Sequence, residues 1–488
     1  MRRSFALAVL ALCIPFHAFA QTGERLSFQA FAQDPARVAS LRRGIAVMQG
    51  RNTAAHDSAD YRRSWEFWSA MHDFIPDGLP ASHPLRTGFF SGEAFFVPPA
   101  TPGGIGEVLG RCEHGTLGFL PWHRWYLYYF ERVLQEAAQD AGLRVPYWDY
   151  SDPLQGSLPE PLRNSAYRTA TGVVANPLFA ERRTLGMNDG FIQPAVAALG
   201  LKSTFLQSDF VTFSGSLEGN AHGLVHCAVG QGCRGPLMGA TQTAAKDPVF
   251  WLHHANIDRL WQCWLGQNAM PKTGEDAQWD AVVQTKYAFV DADGSIVHVD
   301  AADASTPHVK YENEACPELP AKSPLPRARR SVLWSGQSAQ NSIRLGAQVV
   351  EIERSFSGAR TSLNGAPMFS TQSQKPTRIY LHVDGVRVEH SPGVVYEVRL
   401  KAADGDVEET IGALTFFGVS HHDSGSKRYT YDVTEAIHHI TGGANPTSVK
   451  VRLVPTLGVT GMPADAVSMQ FDESAKPSVG SIDFEIVR

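Results

Sequence analysis

His222, His226 and His254 have residue types and a spacing suited to holding a metal. His222 and His226 stand four apart in Asn220-Ala-His-Gly-Leu-Val-His226. On a helix that spacing stacks both imidazoles on one face. His254 follows within DPVFWLHHANIDRLW, whose apolar spacing reads as a second amphipathic helix. A second trio lies upstream: His72 ends the aromatic-rich run SWEFWSAMH, and His114 and His123 bracket HGTLGFLPWH. Imidazoles without nearby thiolate or carboxylate suit copper or zinc. Hydrolytic zinc sites usually mix carboxylate or thiolate with histidine. Six neutral imidazoles bring no negative charge, which favours a pair of coppers cycling between Cu(I) and Cu(II). The two trios together describe a paired-metal site inside a helix bundle.

The elements that must position these rings follow from apolar periodicity. It predicts helices over 35–50, 61–75, 121–139, 217–229 and 250–266. The stretches Thr87 to Gly110 and Ser151 to Pro177 read as loops that would rim the site. His253 and His254 are neighbours on one helix and point about 100° apart, so only one can face a metal.

The bulk numbers exclude several classes. At 488 residues the chain is too long for one core and predicts two domains. Net charge is −6 with both signs mixed throughout, which argues against a nucleic-acid partner. Residues 1–20 read as a signal peptide: Arg2 and Arg3 precede an apolar run that ends in Ala18-Phe-Ala20. Export to the periplasm or beyond is therefore expected, by the general secretory or the twin-arginine route. No other apolar run reaches membrane length. Oligomeric state is not legible.

The phrases HGTLGFLPWHRWYLYYFE and DPVFWLHHANIDRLW, with VPYWDYSDP between them, resemble the two copper signatures of the tyrosinase and polyphenol oxidase family. The resemblance covers roughly residues 45 to 315. It implies a mainly α catalytic domain, a four-helix bundle with a binuclear copper site. It also implies oxidation of o-diphenols to o-quinones by O2 as co-substrate, preceded by hydroxylation of monophenols. Small phenols would be the substrates. An o-aminophenol oxidase and a haemocyanin-like dioxygen-binding protein are the alternatives with the same coppers.

Residue by residue, the resemblance implies that His72, His114 and His123 hold copper A, and His222, His226 and His254 hold copper B. His253 then stands behind the ligands or packs in the bundle. Glu218, four residues before His222, matches a glutamate that holds a water helping to deprotonate phenols. Its plainer role is an acid favouring a helix N-terminus. Gly223 and Thr241 match positions that tune substrate choice: Gly223 disfavours monophenols, and Thr241 leaves the entrance open. Phe250 reads as a wall of the site. Asp258 could orient an imidazole or form an ion pair with a base, while Arg124 and Glu131 read as structural. Cys112, two residues before His114, matches a cysteine joined through sulfur to the imidazole of His114; alternatively it is a free buried thiol. The join would leave four cysteines for two disulfides, Cys227–Cys233 and Cys263–Cys316.

After Cys316 the composition changes. Residues 21–316 read as the catalytic domain, 317–345 as a proline-rich, basic linker open to proteolysis or simply a surface connection, and 346–488 as an all-β sandwich. Apolar residues alternate at Ile379, Leu381 and Val383, and Asp384-Gly385 predicts a hairpin turn. Tyr396 to Leu400, Val449 to Leu453 and Ile482 to Ile486 alternate likewise. This region resembles, more weakly, the C-terminal domain that covers the active site of plant polyphenol oxidases. Phe416 and Phe417 are the candidates for the covering side chain, or else they are sandwich core.

Overall fold

The computed structural model describes residues 23–74, 105–305, 310–312, 316–317, 332–336, 342–356, 377–418, 427–463 and 465–487. The expected signal peptide, most of the Thr87–Gly110 loop and the suspected cleavage stretch lie outside the described residues.

Four helical segments surround the histidines. Trp65–His72 starts at Ser64, whose side chain accepts from Phe67 N. Phe119–Ala138 is the long central helix, ended by Gln139 in the left-handed region. Pro248–Leu265 starts at Asp247 with proline in its first turn, where the missing N–H costs nothing. The fourth segment is broken: Phe210–Leu217 and Gly223–Val229 flank one π-helical turn, Glu218–His222. Such turns insert one extra residue and frequently mark functional sites. Pro35–Gly50 packs outside this group, and Gly44 permits the approach because a Cβ there would meet Leu134 at 2.7 Å.

A buried ionic knot ties the bundle to the start of the described chain. Arg25 is 1% exposed. It donates to Glu131 at 2.8 Å, to Asp258 at 2.9 Å and to Tyr311 Oη at 2.9 Å. Arg124 donates to the other oxygen of Asp258 at 2.5 Å. Asp258 therefore does not orient an imidazole. Two arginines and Tyr311 use up its acceptors and hold its carboxyl below the usual range against the cost of burial. Disulfides join Cys227 to Cys233 and Cys263 to Cys316, as expected.

The C-terminal part contains two four-stranded antiparallel sheets. One runs Lys427–Asp432, Arg378–Val386, Ser481–Val487, Val332–Ser335; the other runs Glu408–Leu414, Val395–Ala402, Ser448–Thr456, Val350–Ser355. Their buried side chains and those of the helices form one continuous apolar core.

Four expectations need correction. The linker 317–345 is not all connection. Val332–Ser335 forms an edge strand on Ser481–Val487, and Ile343–Arg344 pairs with Ser478–Val479. Asp384-Gly385 makes no hairpin turn: the strand runs through it, with a register irregularity between Val383 and Val386. Gly385 takes φ 66° there, and its Cα face lies against Gly480, where a Cβ would come within 3.0 Å. Ser151 to Pro177 is not purely loop, because Ala166–Thr169 and Gly172–Ala175 pair as a small hairpin. The C-terminal part is not strand alone: helices Thr434–Ile440 and Ala466–Gln470 interrupt it.

Candidate metal centre

The fold gathers two groups of donors whose ligand atoms lie within 4.8 Å of one another in each group: His72, Cys112, His114 and His123, and His222, His226, His253 and His254. Each group holds the expected trio plus one further donor. The groups face each other. His123 and His254 rings stack at 4.3 Å and 9°, and His114 and His222 centroids stand 5.3 Å apart.

One nitrogen of most rings is fixed and the other left free. His72 Nδ1 bonds to the Thr241 carbonyl at 3.0 Å, His123 Nδ1 to the Phe119 carbonyl at 2.8 Å, His226 Nδ1 to the Met238 carbonyl at 2.8 Å and His222 Nδ1 to the Glu218 carbonyl at 3.3 Å. The Nε2 atoms of His72, His114, His222, His226, His253 and His254 are buried without a hydrogen-bond partner. Five of these, all but that of His253, belong to the two expected trios, and such orphaned acceptors around one space are costly unless a cation takes them. Backbone carbonyls on the far nitrogen are the usual way a ligating ring is oriented.

Burial keeps these rings neutral, as metal binding requires. Burial lowers His72 to about 4. His114, His123, His222, His226 and His254 are held well below the ordinary histidine range, first by burial and then by neighbouring imidazoles. His253 is lowered by burial to about 3. Its Nδ1 pairs with Tyr150 Oη at 3.0 Å, whereas neither nitrogen of His254 has a partner.

Cys112 Sγ lies 3.2 Å from His114 Nδ1 and 3.5 Å from His123 Nε2. Burial, then the Asp73 and Glu218 carboxylates, push its thiol well up, so the sulfur sits protonated beside the rings. Glu218 is 5% exposed and accepts from Gly115 N at 2.8 Å, next to His114. A cleft of about 570 Å3 between Gly115, Val211, Gly215 and Tyr287 reaches this carboxylate. Phe250 is fully buried, 4.9 Å from the His72 ring and 4.2 Å from His254.

Thr241 is not at an open entrance. It is 3% exposed behind His72, with its hydroxyl donating to Asp73 at 2.6 Å. Gly223 is also covered in the intact chain: a Cβ there would collide with Thr415 Oγ1. The sequence reading passed over Phe119, whose ring lies 4.7 Å from both His123 and His222. Thr241 was singled out for its side chain, but it is the Met238 and Thr241 carbonyls that fix one ring in each group. Phe119 stands inside a quoted motif, so its position was the available signal.

The C-terminal part reaches the centre. The Phe417 ring stacks on His226 at 3.9 Å and 12°, and lies 5.5 Å from His222 and 5.7 Å from His114. Phe416 turns the other way, 6.2 Å from Tyr396. Ala413 N donates to Asn220 Oδ1 at 3.1 Å, and Thr415 Oγ1 to the Gly219 carbonyl at 3.3 Å.

The common central domain of tyrosinase matches residues 62–199 and 175–267. Tyrosinase HcTyr1 of Hahella sp. (strain CCB-MM4) is 27% identical over 429 residues, 80% of this chain and 88% of that one. Polyphenol oxidase A1, chloroplastic, of Vicia faba is 27% identical over 242 residues, 44% of this chain and 39% of its own length. A solved latent aurone synthase (polyphenol oxidase) superposes with TM-score 0.62 at 20% identity, covering 96% of this chain and 90% of its own, which shows a shared fold. No helix among the described residues is long and apolar enough to cross a membrane. Residues 62–267 thus carry a match to the common central domain of tyrosinase, and within them lie histidine-rich groups suited to a pair of coppers.

Proposed function

We propose that the chain oxidises o-diphenols to o-quinones with O2 and hydroxylates monophenols, and that its intact form is latent. The observation that carries this reading is the pair of facing imidazole groups with orphaned Nε2 atoms, closed over by Phe417. His72, His114 and His123 would hold one copper, and His222, His226 and His254 the other. His253 stands behind, held by Tyr150. The two coppers, when bound, supply the redox pair that activates dioxygen.

The chain's own residues do the rest. Phe119 packs against His123 and His222, and Phe250 against His72 and His254, so both wall the centre with apolar surface. Glu218, which lines that cleft, would take the phenol proton through a water. Cys112 and His114 are placed to join through sulfur, losing one hydrogen from the thiol and one from the ring, with dioxygen as the oxidant. A reductant-resistant linked peptide lighter by that hydrogen pair supports the join, and an alkylatable Cys112 in copper-loaded protein refutes it.

Residues 21–316 are read as the catalytic domain and 346–488 as a β-sandwich that covers it, exported behind the signal at 1–20. The test is quinone formation from catechol by the copper-loaded full chain, before and after limited proteolysis in 317–330. Turnover that rises on cleavage supports the reading. Copper-loaded protein that takes up dioxygen but never turns over phenols would favour a carrier instead, and faster turnover of o-aminophenol than of catechol would favour an aminophenol oxidase.

A further inference from the structure

The C-terminal part also rests on a loop outside the two donor groups. Helix Gly223–Val229 leads into this loop, and the Cys227–Cys233 disulfide closes it. Three successive residues there, Gln231, Gly232 and Cys233, take φ of 57°, 69° and 65°. Two of them carry side chains, for which the left-handed region is uncommon and persists only where the surroundings hold it. The disulfide holds the loop from one side. The C-terminal part holds it from the other. Gln470 Nε2 donates to the Gln231 carbonyl at 2.5 Å, Arg234 Nη1 to the Gln470 carbonyl at 3.1 Å and Ser391 Oγ to the Gly232 carbonyl at 3.4 Å. A Cβ on Gly232 would collide with the Gly393 carbonyl, so the two backbones meet directly. The docked segments thus bond the residues on either side of Cys233, which is itself 6% exposed, with Cys227 fully buried.

We propose that the Cys227–Cys233 disulfide is a redox latch for the C-terminal part. Formed, it keeps the loop in the shape that Ser391, Gly393 and Gln470 grip. Reduced, it frees the loop and the grip fails. That this release also uncovers the imidazoles rests on the reading of Phe417 given above. The reductant is a dithiol, either a small molecule or a dithiol protein. Its thiolate attacks the Cys233 sulfur, the Cys227–Cys233 bond breaks, and the departing Cys227 thiolate takes a proton. The second thiol of the reductant then attacks the mixed disulfide and releases Cys233. The reductant ends as a disulfide and both cysteines as thiols, with two electrons passed to the chain. Docking and disulfide protect each other by linkage: whatever favours one state of the loop favours both.

The test is amide hydrogen exchange in the copper-free full chain, oxidised and after reduction with dithiothreitol. A Cys263→Ser, Cys316→Ser background makes Cys227–Cys233 the disulfide that is reduced. If that background does not fold, Cys227→Ser with Cys233→Ser in the otherwise unchanged chain stands for the reduced state. Three amides bond across the boundary: Ala413 to Asn220 Oδ1, Thr460 to the Gln193 carbonyl and Ala195 to the Gly458 carbonyl. They should exchange about tenfold faster or more on reduction, the worth of one supported left-handed residue. Amides inside Arg378–Val386, paired with strands on both sides, should keep their rates. Unchanged exchange across the boundary would overturn the proposal. So would an equal rise inside Arg378–Val386, since the disulfide would then support the whole fold. Gln470→Ala with Arg234→Ala should in turn speed reduction of Cys227–Cys233 by about threefold or more, the worth of a hydrogen bond; reduction at the wild-type rate would contradict the mutual protection. Catechol turnover by the copper-loaded Cys227→Ser, Cys233→Ser chain separates the latch from the function reading. Opening without turnover would remove that reading and leave the latch standing, whereas turnover without opening would remove the latch alone.

Discussion

The Phe417 ring lies flat on the His226 imidazole, 3.9 Å between centroids and 12° between planes, although 191 positions separate them in sequence (417 − 226). An apolar ring over an imidazole proposed to hold copper would exclude both water and substrate. Phe417→Ala should raise catechol oxidation by the intact copper-loaded chain more than tenfold, equivalent to about 1.4 kcal/mol of closed-state preference. Phe416 packs on Tyr396 inside the C-terminal part. Phe416→Ala should instead destabilise by about 3–5 kcal/mol. Oxygen uptake and thermal melting of both variants separate the two roles. Unchanged uptake in Phe417→Ala would show that this ring does not gate the centre.

Gly223 gives an independent handle on the closed state. Its Cα faces Thr415, with no space for a side chain. Gly223→Ala should loosen the docked segment and raise catechol turnover in the intact chain, whereas Gly223→Ala with Thr415→Gly should return toward latency. The progress of oxygen uptake in the two variants is the check. Latency equal to wild type in Gly223→Ala would mean that the segment yields at no cost.

The buried imidazoles set a pH dependence for the copper-free protein. Their folded-state values lie below 6.5, with His72 near 4, so the unfolded chain binds more protons between those limits. Stability should therefore be complete above about pH 6.5 and fall as pH drops toward 4. Copper competes with protons for the same nitrogens, so the loaded protein should hold to lower pH. Urea midpoints between pH 8 and 4, with and without copper, test the sign; copper-free stability that rises on acidification would contradict it.

Arg25 is a structural test far from substrate. It neutralises Glu131 and Asp258 together in a buried setting. Arg25→Ala strands the buried Glu131 carboxylate, while Asp258 keeps Arg124 and Tyr311, and should cost about 3–5 kcal/mol. Arg43→Ala, on an exposed side chain that donates to the Ala138 carbonyl, should cost about 1 kcal/mol or less. Chemical denaturation of each variant measures the difference.

The histidines were legible because metal ligation leaves a residue-type pattern at helical spacing, and the helices carrying them follow apolar periodicity. His72, His123 and His254 all sit where that reasoning put them. The π turn at Glu218–His222 was not legible, because one inserted residue leaves no mark on residue type. Thr241 and Asp258 were misjudged for a shared reason: each lies at a suggestive spacing from a ligand, but its partners come from remote segments. Thr241 turns its carbonyl to His72, and Asp258 is claimed by Arg25 and Arg124. The Asp384-Gly385 reading failed because a glycine with positive φ serves a strand irregularity as well as a turn. Phe416 and Phe417 could be named but not told apart, since only docking decides which of two adjacent rings faces the histidines.

The most direct test of the paired copper centre is metal content of the purified full chain after copper loading and removal of loose metal, in wild type, His253→Ala and His254→Ala. Wild type should hold two coppers, one per donor group. His253→Ala should keep both, because Tyr150 engages that ring from behind, and His254→Ala should keep one. One metal in wild type, zinc retained in preference to copper, or loss from His253→Ala but not His254→Ala would contradict the assignment.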